Sequence, residues 1–244
     1  MYTSPMKKHA KGVLAALALT AALPFFGPPQ ACAETFLRED FATLDNWKEQ
    51  TFKKIPRHTT YTAGKVNGVD ALMADSRSSA SGLVLQKVFD VYEHPLLRWR
   101  WKVGNIIPEA DGTKKTGDDY PLRIYVVFTY DPGSATGFTK LRYSLAKMVN
   151  GDYPPHSTLN YVWANVENTP DHFRSPYTDR AAIIPLRRGP ADAGIWLEES
   201  VNIVDDYRRV FGEDPPHKAA LAIMTDTDNT RSRATAFIDW IEVD

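Results

Sequence analysis

Two strips carry the side chains best suited to chemistry. In LRWRWKV, Leu97–Val103, cations and apolar residues alternate, so Arg98, Arg100 and Lys102 point to one side of an extended strand and Leu97, Trp99, Trp101 and Val103 to the other. Along LRIYVVFTY, Leu122–Tyr130, the same period puts Arg123 and Tyr125 opposite Leu122, Ile124, Val126 and Phe128. With the two strips as strand neighbours, guanidinium groups and a phenol line one surface, which suits a ligand bearing carboxylates or many hydroxyls, such as a uronic-acid glycan. Like charges two residues apart repel, and an anionic guest would relieve that. The competing reading is a solvated strand face whose cations are satisfied by Glu198 or Glu242.

Carboxylates form the second group. Asp118 and Asp119 close the polar loop that enters the second strip, and Asp226 and Asp228 leave a strand in MTDTDNT. Acids at strand ends serve as general acid and base, hold a hard cation, or build Asx turns. Asp226, Asp228 and Thr230 mimic the first alternate ligands of a calcium loop, but Arg231 replaces the glycine and Phe237 stands where the closing glutamate belongs. Structural turns are therefore expected, with no metal site. Glu198 and Glu199 are adjacent in WLEESV and face opposite ways. His58, His94, His156, His172 and His217 lack the short spacing of a zinc motif. Trp99, Trp101, Trp163, Trp196 and Trp240 fall in apolar strand patterns, leaving Trp47 and Tyr153 as candidate surface aromatics. The chain has no nucleophile elbow, phosphate loop or dinucleotide fingerprint, which argues against the common serine hydrolases, nucleotide enzymes and dehydrogenases.

The elements that must position these residues read as short strands between turns: Gly82–Phe89, Leu96–Val103, Leu122–Tyr130, Leu159–Ala164, Arg180–Leu186, Trp196–Val201, Ala219–Thr225 and Ala236–Val243. That number predicts an all-β fold, a two-sheet, jelly-roll-like β-sandwich with one or two short accessory helices. One helix is expected where Phe138, Leu141, Leu145 and Met148 recur before Asn150-Gly151. The other is NIVDDYRRVFGEDPP. Asn202 caps its start, Ile203, Tyr207, Val210 and Phe211 form an apolar stripe, Gly212 takes a left-handed position, and Pro215-Pro216 stops it.

Lys7, Lys8 and Lys11 precede the apolar run Gly12–Leu23, and small residues follow at Ala31–Ala33. This is the pattern of an export signal cleaved after Ala33, which predicts a signal peptide over 1–33, a single β-sandwich domain over 34–244, and a periplasmic or extracellular product. The run is shorter than the ~20 apolar residues of a membrane span, so no integral membrane segment is expected in the mature chain. Cleavage removes Cys32, the only cysteine, so stability must come from a core. The chain has 29 Lys+Arg against 30 Asp+Glu, and setting aside the three signal lysines leaves 26 against 30, a net charge of −4. A mildly acidic domain argues against nucleic-acid binding.

The strips LRWRWKV, GDDYPLRIYVVF, LNYVW, DYRRVFGEDPP and AIMTDTDNT, in that order, resemble a family of bacterial exported proteins known as domain-of-unknown-function family 3047, over about Phe41 to Val243. The resemblance implies an exported single-domain protein and supplies no reaction and no catalytic residues. From the residues, the function expected is a ligand-binding module for a carbohydrate or another polar or anionic small molecule. Its candidate ligand-binding residues are Arg98, Arg100, Lys102, Arg123, Tyr125, Asp118, Asp119, Glu198, Asp226 and Asp228. A glycoside hydrolase or lyase on the same face is the alternative, with Tyr125 or one of those acids moving the proton. An envelope protein-interaction domain is the third. No cofactor is called for.

Overall fold

The alternation in Leu96–Val103 is realised as a strand whose Leu97, Trp99, Trp101 and Val103 are fully buried. Leu122, Ile124, Val126 and Phe128 are buried to the same degree. The computed structural model describes residues 1–2, 35–66, 68–130 and 155–244. The expected helix over Phe138–Met148, Tyr153 and nearly all of the expected signal peptide lie outside the described residues.

The strands are β1 (Leu37–Glu39), β2 (Trp47–Gln50), β3 (Thr60–Val66), β4 (Val69–Arg77), β5 (Ala80–Asp90), β6 (Leu96–Val103), β7 (Tyr120–Phe128), β8 (Ser157–Ala164), β9 (Phe173–Ser175), β10 (Thr178–Arg188), β11 (Leu197–Asn202), β12 (Lys218–Asp226) and β13 (Arg233–Val243), with helix α1 at Ile203–Phe211. They form two sheets. The first runs β11-β6-β13-β4-β3, with β1 also on β13, and the second β2-β5-β12-β7-β8-β10-β9. Neighbours are antiparallel except β8 and β10. All eight expected strands are present.

The inner faces meet in one apolar core, where Trp99 lies 5.6 Å from Tyr161 and Trp101 5.7 Å from Trp163, ring centre to ring centre across the sheets. Pairs of this kind stabilise beyond the area they bury, by ~0.5–1.5 kcal/mol each. The Trp101 indole N–H donates to Glu199, whereas the Trp99 N–H has no partner among the described residues. The packing also corrects one expectation. β6 and β7 are not neighbours but belong to opposite sheets, so their polar faces look outward on opposite sides of the sandwich.

α1 forms as its sequence dictates. The Asn202 side chain accepts from the N–H groups of Val204 and Asp205, and Gly212 closes the helix at φ 72° with its N–H on the Arg208 carbonyl. Tyr207 packs edge-on against Phe128 at 4.7 Å and shares a hydrogen bond with Ser157, so α1 covers the end where β7 stops and β8 begins.

Beside the core, hydroxyls clasp the first sheet to the second. Thr59 donates to the Thr225 carbonyl at 2.7 Å, the Tyr61 hydroxyl donates to the Ser81 carbonyl and accepts from the Thr225 N–H, and Ser76 meets Thr227 at 2.9 Å. These bonds fix the chain entering β3 against β5 and β12. Ala33–Asp244 form one compact unit, and among the described residues no helix is long and apolar enough to cross a membrane.

Candidate functional site

On the outer face of the first sheet the cations of β6 are already engaged. Arg98 donates to Glu242 and Asp244, and Arg100 donates to Asp239 at 2.7 Å with Glu198 at 3.9 Å. Lys102 sits over the rings of Trp196 and Phe237, 4.8 and 4.6 Å from their centres. The row of like charge is balanced by acids on β11 and β13, so it requires no anionic guest. Glu198 and Glu199 do face opposite ways. Glu198 is exposed beside Arg100, and Glu199 accepts from Trp101 and from Arg187 at 2.7 Å.

Arg123 and Tyr125 lie on the outer face of the second sheet, away from the β6 strip. A single surface joining Arg98, Arg100, Lys102, Arg123 and Tyr125 is thereby corrected, since the two sets are separated by the whole core. Arg123 is 4% exposed, and its guanidinium is spent on the carboxylates of Asp226 and Asp118 and on the Asp118 carbonyl. Tyr125 reaches Met224 Sδ at 3.6 Å, and burial pushes its hydroxyl up to about 12. Burial pushes Asp226 up to about 7 against the opposing pull of Arg123, and raises Asp118 as well. One buried cation faces two buried carboxylates here, so a net negative charge is held out of water.

Asp119, Asp226 and Asp228 bring one carboxylate oxygen each within 4.8 Å of the others, the grouping a hard cation would use. Two of the three acids are already engaged, however. Asp226 accepts from Arg123 and the Tyr120 N–H, and Asp119 accepts from the N–H groups of Asn229 and Thr230 and from the Thr230 hydroxyl. The cluster is a clasp between the entrance of β7 and the exit of β12. Its acids and Glu198 do not meet across an open groove, so the paired carboxylates that a glycoside hydrolase reading needs are not assembled from them.

Open space lies elsewhere, along the side where the edge strands β2 and β3 meet. A hollow of about 520 Å3 is lined by Lys54, Arg57, Ser78, Asp228 and Arg231. It adjoins a second of about 460 Å3, sharing Arg57 and adding His58, Asp75 and Arg77. A third of about 440 Å3 shares His58 and Thr60 with the second and adds Trp47, Glu49 and Tyr61. Ten of the described arginines hold a carboxylate within 4.0 Å. Of the other four, Arg174 is bound to the Val210 carbonyl, Arg233 lies outside the three hollows, and Arg57 and Arg231 both line the first. Lys54, in the same wall, has no carboxylate within 4.0 Å among the described residues either.

The backbone of that hollow is strained. Ser78 at φ 50° and Arg231 at φ 58° are two of the three non-glycine residues in the left-handed region among the described residues, and both line it. Such conformations cost ~1–3 kcal/mol and persist where the surroundings impose them. Asp228, half-buried in the same wall, is raised by burial and by the charge of Asp119. Trp47 is corrected as a surface aromatic. It is 6% exposed, stacked on Phe41 and hydrogen-bonded to Glu39, and it shows only an edge to the third hollow.

Sequence reasoning passes over Lys54 and Arg57 and weighs His58 only as a zinc ligand, where its spacing does not fit. The signal available is the run KKIPRH, Lys53–His58, basic, free of hydrophobic periodicity and interrupted by a proline. Arg231 is noticed only as a misfit to a calcium loop. It nonetheless takes the left-handed conformation that a glycine would supply there.

Fold and site together define a two-sheet β-sandwich with a row of adjoining hollows along one side, the first walled by cations. The chain belongs to the family described as protein of unknown function (DUF3047), whose model matches residues 45–242. No curated protein matches it in sequence. Among solved structures, it is similar to the K1 cleaved adhesin domain of Lys-gingipain from Porphyromonas gingivalis W83, at 11% identity and a TM-score of 0.38, covering 85% of this chain and 96% of that one. It is similar also to a family 11 carbohydrate-binding module from Clostridium thermocellum, at 11% identity and a TM-score of 0.38, over 84% and 92% of the two chains. A third is the Trichoderma harzianum endoglucanase 3 of family GH12, at 8% identity and a TM-score of 0.40, over 82% and 98%. Likeness at this level identifies no ligand for this chain.

Proposed function

We propose that the protein is an exported binding module that takes an acidic carbohydrate in the trough beside β2 and β3. The observation that carries this reading is the convergence of Arg57 and Arg231, with Lys54, on one hollow in a protein that pairs most of its other arginines with acids. An unpaired guanidinium offers a preformed fork for a carboxylate. The acids Asp75 and Glu49 and the hydroxyls of Thr60 and Ser78 in the same trough accept from sugar hydroxyls, and those acids would repel a bare polyphosphate.

Isothermal titration with uronic-acid oligosaccharides and with neutral oligosaccharides of equal length tests it. Binding of the acidic set alone is expected, with Arg57→Ala weakening it by roughly 10- to 100-fold, the value of one charge-assisted hydrogen-bonded contact. Arg100→Ala, in the paired strip of β6, should leave affinity unchanged. Equal binding of neutral and acidic sugars, or loss on Arg100→Ala with none on Arg57→Ala, would overturn the proposal.

A further inference from the structure

We infer that the ligand is an extended chain bearing its acidic unit at one end, and not a compact anion or a uniformly charged polymer; this rests on the acidic-carbohydrate reading. The three hollows adjoin in series: the first and second share Arg57 as a wall, and the second and third share His58 and Thr60. They follow the chain from Lys54 to Tyr61, a path of at most ~25 Å for seven peptide steps. Charge changes along it. The first hollow holds Lys54, Arg57 and Arg231 against Asp228 alone. In the middle, Asp75 neutralises Arg77 at 2.7 Å and leaves Arg57 at the border with the first hollow, and among the described residues Glu49 is the one carboxylate lining the far hollow, beside Tyr61. A polymer charged at every unit would set an anion against Glu49. A chain charged only at the first unit would set neutral hydroxyls there, where they donate to the carboxylate.

Three probes separate the cases by calorimetry: free glucuronic acid, a neutral tetrasaccharide capped at one end by a single uronic acid, and an oligogalacturonate of the same length. The capped tetrasaccharide should bind at least about tenfold more tightly than either of the others. Leu44→Trp, which fills the third hollow, should remove that gain and leave glucuronic acid binding intact. Glu49→Lys, at an exposed position, should shift preference toward the oligogalacturonate. Equal affinity for glucuronic acid and the tetrasaccharide would overturn the extended ligand while leaving an acidic-sugar site standing, and a preference for the oligogalacturonate would overturn the one-ended charge. Failure of all three probes to bind would remove the underlying reading and this inference with it.

Discussion

Arg231 concentrates the tension between folding and binding in one residue. Its left-handed backbone is unfavourable for any side chain with a Cβ, yet its guanidinium, in the wall of the first hollow, has no carboxylate within 4.0 Å among the described residues. Arg231→Gly should therefore raise stability by up to about 1 kcal/mol, seen as a higher midpoint in urea, while lowering acidic-sugar affinity at least tenfold. A variant that is less stable and still binds would contradict both assignments. The residue scale is also where the sequence is least legible. Alternation tells which side of β6 is greasy, so Trp99 and Trp101 are placed correctly. Whether Arg100 meets an acid, or Arg57 meets none, depends on strands far away in the sequence and is invisible to local pattern.

Elements carry their own signatures more openly. The caps of α1 are written in Asn202 and Gly212, and the structure uses both. Asn202→Ala removes an acceptor for two helix N–H groups and should cost about 1 kcal/mol, lowering the melting temperature by roughly 2–4 °C in calorimetry. No change in melting would show that packing of Tyr207 alone holds the helix. The hairpin of β3 and β4 is different, because no strand is expected there although Asn67-Gly68 stands between Val66 and Val69, a strong turn signal. Its residues TYTAGKV and VDALMADSR mix small and polar side chains, and β3 is an edge strand with little burial, so hydrophobic alternation is weak where the turn chemistry is plain. The trough borders this hairpin, and its walls come from four separated stretches of chain. A site of that kind has no motif.

At the scale of the molecule, the clasp around Arg123 ties stability to pH. Asp226 holds its proton more firmly when folded than the ordinary carboxylate value of 3.8 allows, because burial outweighs Arg123. The folded state then binds more protons than the unfolded state between about pH 4 and 7. Stability should be full below that window and fall as pH rises through it, by on the order of 1 kcal/mol per pH unit at most, levelling off above. Urea midpoints measured from pH 4 to 8 test this, and a rise across the window would reverse the assignment. The arrangement of the first sheet has a consequence for how the chain is made. β13 lies between β6 and β4 and also receives β1, so Leu37 pairs with Val243 across nearly the whole sequence. Until β13 has been made, the polypeptide lacks the central rail on which half of the sandwich assembles, so closure of the first sheet waits on contacts between distant segments.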